Sequence, residues 1–223
     1  MQRRRILTFA ASTVGAVAAA PALSTYAATA LPAADTYRAG EHFHLVSNPI
    51  APTNPNVVEV VEVFSYMCIH CFNFDTPVEA WQRKLPEGAS FRRSPAVFSP
   101  SWKVMAQAFY TAEALGVLEQ LHKPMFNALH VDRINIAHER ILGRFFQENA
   151  GVDPADFERA WQSFAVVAAV EQADSRSKIW GVNAVPQLVV NGKYRLDGQL
   201  LRGSNVGMLQ VAEWLVAREL AAV

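Results

Sequence analysis

Cys68 and Cys71 are the only cysteines of the 223-residue chain, and only Ile69 and His70 separate them. Thiols at that spacing can close a small disulfide ring or supply half of a metal site. The run Val57 to Phe64 before them is apolar enough for a buried strand, and Phe72 to Leu85 after them has the apolar spacing of a helix. A thiol at a strand-to-helix turn meets unpaired backbone N–H groups and the positive end of a helix dipole. Both stabilise the thiolate, the reactive form of cysteine. Zinc would need two further ligands, yet there is no second cysteine pair and the other histidines are scattered. A ring this small restrains little of the unfolded chain, so the pair reads as a redox-active disulfide rather than a staple, with no metal and no organic cofactor. Cys68 is then the outer thiol that exchanges, and Cys71, one turn inside, the shielded thiol that resolves.

Three neighbours bear on that chemistry. His70 lies inside the motif, where a hydrogen bond or partial positive charge would lower the Cys68 pKa and make the disulfide more oxidising. Glu62 is an acid in an apolar strand, where burial raises its pKa. A proton carrier and a satisfied structural acid are both open readings of it. Glu59 falls on the opposite strand face, near the strand's start, and reads as exposed. Val185-Pro186 stands just before a further strand, a place where proline marks a first strand residue or a cis turn.

The elements that must hold these residues follow from periodicity and punctuation. An arm over 31–56 carries one short strand near Phe43 to Val46, and the strand at 57–65 leads into the cysteine helix. Pro77 should kink that helix or confine its first segment to about two turns. A turn at Pro86-Glu87-Gly88 precedes a strand over Ser90 to Val97. From about Ser101 to Ser177 the pattern is helical: a helix capped by Ser101 and ended by Gly116, a second over Leu118 to His130, and a third over Ala137 to Glu148. Asp153-Pro154 then starts a long fourth helix reaching Ser177 with a break. Gln187 to Val190 and Lys193 to Leu196 flank Asn191-Gly192, a strong hairpin signal, and Ser204 or Asn205 caps a last helix.

The N-terminus carries an address. Arg3, Arg4 and Arg5 precede an apolar run from Ile6 to Ala20, with small residues around Ala27 and Ala30. This is the layout of a cleaved export signal over 1–27, with cleavage as late as residue 30 also open. Pro21 and the short apolar run weigh against a retained anchor, and the adjacent arginines leave a twin-arginine route open. Export places the protein in a periplasm or outside the cell, where disulfides persist. The chain has 20 basic and 20 acidic residues; without the three leader arginines the acids are in slight excess, and nothing suggests nucleic acid.

With these pieces in place, the chain resembles the DsbA family of periplasmic thiol–disulfide oxidoreductases. The matching segments are Glu62-Val-Phe-Ser-Tyr-Met-Cys68-Ile-His70-Cys71-Phe, Lys84-Leu-Pro-Glu-Gly88, Ala114-Leu-Gly-Val117, Ala160-Trp-Gln-Ser-Phe164 and Val185-Pro-Gln-Leu-Val-Val-Asn-Gly-Lys-Tyr194. The resemblance implies an α/β thioredoxin fold with an inserted all-helical domain: first part 31–99, insertion 100–177, second part 178–223. It implies that Cys68 attacks and forms the mixed disulfide, that Cys71 resolves it, that His70 stabilises the thiolate and that Glu62 is the buried acid. It makes Pro186 a cis-proline facing the disulfide, with Val185 touching bound peptide backbone. A depressed thiol pKa and an oxidising disulfide are family properties, implied on the same footing. The family dipeptide Pro-His is here Ile69-His70, so only the histidine is kept.

The function so implied is donation of the Cys68–Cys71 disulfide to unfolded exported proteins by a monomer, with a quinone-linked membrane oxidase like DsbB as electron acceptor. A reductase or isomerase kept reduced by a membrane donor, and a peptide-binding chaperone without turnover, are the alternatives. The reduction potential separates the oxidase from the reductase, and replacement of both cysteines isolates the chaperone.

Overall fold

The computed structural model describes residues 36–52 and 54–222; the expected export signal lies outside them. The strands are β1 (His44–Leu45), β2 (Val58–Phe64), β3 (Ala89–Pro95), β4 (Gln187–Val190) and β5 (Tyr194–Asp197). The helices are α1 (Ile69–Gln82), α2 (Pro100–Ala114), α3 (Leu118–His130), α4 (Glu139–Ala150), α5 (Pro154–Trp161), α6 (Phe164–Ile179) and α7 (Asn205–Leu220). The strands form one sheet in the order β1-β5-β4-β2-β3. β2 is parallel to β3 and antiparallel to β4, so the valine-rich run sits inside the sheet, and its β-branched side chains suit a strand covered on both faces.

Alternation along β2 sorts its side chains. Val58 and Val60 join a core with Phe74 and Val78 of α1 and Met208, Val211 and Leu215 of α7. Val61 and Val63 face the other way, onto Trp180, Val182 and Val189. Glu62 shares the face of Val60, and so points beneath α1. A third apolar core fills the block α2–α6 and extends to Phe64, Tyr66 and Cys71. The helices inserted between β3 and β4 therefore pack directly against the cysteine turn.

Several boundaries differ from the sequence reading, each for a local reason. Ser99, not Ser101, caps α2: its hydroxyl accepts the Trp102 N–H, and Pro100 occupies the first helical position, where its missing N–H costs nothing. The break expected in the helix after Asp153 falls at Ser163, which turns out to extended φ/ψ and caps α6 through the Val166 N–H. α6 runs to Ile179, past the expected end of the insertion at 177. α1 continues through Pro77 for 14 residues, held to its neighbours by buried Cys71, Phe74, Asp75 and Val78 on one stripe. Glu59 is not free on the surface: Arg92 grips it through two hydrogen bonds of 2.7 and 3.1 Å.

The β4–β5 hairpin follows its turn signal. Asn191 and Gly192 both take positive φ, 51° and 64°. A Cβ on Gly192 would collide with the Ile50 carbonyl, so glycine is required there twice over. Glu219, in the last turn of α7, then clamps the hairpin: its carboxylate accepts from the Asn191 amide (2.5 Å), the Lys193 ammonium (2.5 Å) and the Tyr194 hydroxyl (2.8 Å).

Candidate active site

β2 ends at Phe64, and a tight turn of Ser65, Tyr66 and Met67 delivers Cys68 to the N-cap of α1. Ser65 shapes the turn: its hydroxyl accepts the Met67 N–H at 3.1 Å and its carbonyl the Cys68 N–H at 3.1 Å. Cys68 has extended backbone (φ −102°, ψ 117°) and no side-chain cap bond, which leaves its sulfur at the open end of the helix. Both cysteines are free thiols here; Cys68 is partly exposed and Cys71 fully buried.

One turn of helix makes the two thiols chemically opposite. The Cys68 pKa is lowered to about 6, chiefly because the Cys71 thiol donates to its sulfur; burial opposes this, and the N–H groups of Cys71 and His70 and the His70 charge assist. The Cys71 pKa is pushed well above the usual thiol value, first by burial and then by its bond to Cys68. His70 is exposed beside Ile69. Its charge lowers the Cys68 pKa, but the Cys71 thiol makes the largest contribution. Across the turn, the Val185 carbonyl lies 3.5 Å from Cys68 Sγ, and the Val185–Pro186 peptide is cis. The structure thus brings Cys68, Cys71, His70, Val185 and Pro186 together at one end of the interior strands β2 and β4.

Glu62 lies beneath, 2% exposed, with its pKa raised to about 7 by burial against the opposing attraction of Arg93. The parallel register sets Glu62 opposite Arg93, whose Nε donates to it at 3.0 Å. Arg93 Nη2 reaches Asp75 of α1 at 2.8 Å, and Asp75 also accepts His122 Nε2 at 2.9 Å. His122 Nδ1 lies 2.7 Å from the Tyr66 hydroxyl, and His130, two turns further along α3, bonds the Tyr66 carbonyl at 2.8 Å. None of Tyr66, Asp75, Arg93, His122 or His130 was singled out from sequence. One signal was present: His122 and His130 fall on the apolar stripe of α3 with Phe126, and Asp75 sits between Phe74 and Val78 on that of α1. Among the described residues, no three His, Cys, Asp or Glu side chains are grouped to hold a metal ion, and no helix is long and apolar enough to cross a membrane.

A model of the DSBA-like thioredoxin domain matches residues 59–205, which spans the cysteine turn, the helical insertion and the Val185-Pro186 hairpin. This chain belongs to that family. It is 36% identical over 189 residues to the thiol:disulfide interchange protein DsbA of Pseudomonas aeruginosa, covering 85% of this chain and 89% of the relative. The protein of the same name from Azotobacter vinelandii is 36% identical over 201 residues, covering 90% and 92%. The crystal structure of Pseudomonas aeruginosa DsbA superposes with a TM-score of 0.79 at 36% identity, over 85% of this chain and 97% of that one. As a DsbA-like protein with a thioredoxin fold and a helical insertion, the chain is a thiol:disulfide oxidoreductase.

Proposed function

We propose that the protein works as an oxidase in the periplasm, passing the Cys68–Cys71 disulfide to exported proteins as they fold. The observation that carries this is the opposite tuning of the two sulfurs. A substrate thiolate attacks Cys68 Sγ, the S–S bond breaks, and Cys71 leaves as a thiolate. Burial disfavours that anion, so it takes up a proton, and Glu62 is the buried carboxyl whose charge acts on Cys71. A second substrate thiolate attacks the substrate sulfur of the mixed disulfide. Cys68 then departs as a thiolate that is stable at neutral pH, and the substrate holds the new disulfide. Two electrons have passed to the enzyme, and the redox centre is the cysteine pair itself.

The Val185 carbonyl lies against Cys68 Sγ and precedes the cis bond to Pro186; we assign Val185 and Pro186 to contact with substrate backbone and His70 to thiolate stabilisation. The helical insertion is taken as 100–177 within a thioredoxin-like body of 31–99 and 178–223, and residues 1–27 as the export signal. A quinone-linked membrane oxidase like DsbB is the acceptor that returns the monomer to its disulfide form. The test is equilibrium of the purified protein with glutathione redox buffers. A disulfide reduced at thiol-to-disulfide ratios far below those that reduce thioredoxin supports the oxidase; one as resistant as thioredoxin's overturns it in favour of a reductase.

A further inference from the structure

The hydrogen-bond chain under α1 has one direction that satisfies every partner. Asp75 accepts, so His122 Nε2 carries the hydrogen, and Nδ1 is left to accept from the Tyr66 hydroxyl. Arg93 donates to Asp75 through Nη2 and to Glu62 through Nε. The guanidinium is thus shared between two carboxylates, and whichever binds it more strongly leaves the other less compensated.

We propose that His122 is a positioning residue for the proton carrier of Cys71: its Nε2–H holds Asp75 charged against Arg93 Nη2, and so prevents Arg93 from pairing with Glu62 alone. The inference rests on the reading of Glu62 as that proton carrier. An Asp75 stripped of its histidine donor is a half-satisfied buried carboxylate, and it gains a proton more easily. Once neutral, it neither repels the Glu62 charge nor competes for Arg93, and Glu62 becomes a fixed anion with no proton to hand to Cys71.

The surroundings leave His122 in that role. Burial holds its pKa down, so it stays the neutral donor. The charged and titratable groups facing it are Asp75 and Glu79 of α1, Arg93 of β3 and Tyr66 of the turn; Glu79 is paired with Lys123 at 2.8 Å. Phe64, Tyr66 and Phe126 pack edge-on or tilted around the imidazole and fix its plane. Asp75 itself borders an open cleft between α1 and α3, beside Phe72 and Lys123, which helps it remain ionised.

The test follows the Glu62 carboxyl directly, by carbon-13 NMR of the reduced full-length mature protein labelled at glutamate side chains, with the signal assigned by its loss in E62Q. Its midpoint near pH 7 should fall by about one unit in H122F, which keeps the ring and removes the donor. H122Q, whose amide can both donate to Asp75 and accept from Tyr66, should restore most of the shift. D75N should lower the midpoint as H122F does, and serves if the phenylalanine variant does not fold. An unmoved midpoint in H122F or D75N, or an equal shift in H122F and H122Q, overturns the proposal. The pH dependence of disulfide exchange in E62Q tests the underlying reading separately. If E62Q leaves that dependence unchanged, the proton-carrier reading falls and this inference with it. If E62Q changes it while H122F leaves the Glu62 midpoint in place, only the role of His122 is overturned.

Discussion

The upper and lower sides of the cysteine turn are built on opposite principles. Above, Cys68, Ile69 and His70 meet solvent, and the thiolate is stabilised largely by groups of its own helix turn. Below, Cys71, Glu62, Asp75, Arg93 and His122 are contributed by two strands and two helices, and their charges are largely buried and paired with one another. The upper side is local in sequence and chemically simple. The lower side is assembled only by the complete fold, and each of its groups depends on a partner far along the chain. The Cys68 pKa is thus set largely by adjacent residues, whereas that of Glu62 is set by tertiary structure.

The sharpest break in this comparison comes from the sulfurs themselves. Cys68→Ser should abolish disulfide transfer, while Cys71→Ser should leave Cys68 reactive and accumulate covalent adducts with a thiol-bearing peptide, visible by non-reducing electrophoresis. Next in size is the lower side's shared cation. Arg93→Met strands two buried carboxylates and should cost about 3–5 kcal/mol in denaturant unfolding at pH 7.5. The deficit should shrink at pH 5, where a carboxyl can be buried neutral.

Glu62 gives a pH signature of similar scale. Its folded pKa of about 7 is raised above the unfolded 4.5, so the unfolded chain loses the proton first. The associated stability is intact below pH 4.5 and is lost as pH rises through 7, a change on the order of 3 kcal/mol. Glu62→Gln should lack that portion of the slope in unfolding measured across pH 4.5–8. The upper side gives the opposite sign. The Cys68 pKa is depressed from 9.0 to about 6, so the thiolate stabilises the reduced fold fully above pH 9, and that gain fades as pH falls to 6. Melting temperatures of reduced minus oxidised protein should therefore rise over pH 6–9. The smallest effect is that of His70→Ala, which should raise the Cys68 pKa by about one unit, read from thiolate absorbance.

How much could be read in advance divides along the same line. The order of strands and helices, the cysteine pair and the Asn191-Gly192 hairpin are local signals, and each is found where its residues place it. Glu62 stood out because an acid among valines breaks an apolar pattern. Arg93 did not, because next to Arg92 it reads as surface charge; strand alternation puts the two arginines on opposite faces, and only the register against β2 brings one to Glu59 and the other to Glu62. His122 and Tyr66 meet across 56 residues, and His130 and Tyr66 across 64. No periodicity within one element encodes such pairs. A break in the helix after Asp153 is expected, but its place is not legible: Gln162 and Ser163 fit a helical pattern, and it is the capping bond of Ser163 that ends one helix and begins the next.

The Glu219 clamp has a consequence for the order in which this protein comes into being. A chain emerging from its N-terminus presents Cys68 and Cys71 early, when β2 has only β3 to pair with. β4, which lines the other side of β2 and brings Val185 against the Cys68 sulfur, arrives late, and its turn is clamped when the last turn of α7 supplies Glu219. Until the hairpin is delivered, the reactive turn has neither its facing carbonyl nor a finished sheet behind it. Replacing Glu219 would therefore loosen the hairpin at its turn, beside Glu59 at the start of β2, and could reach the cysteine turn only along the length of β4.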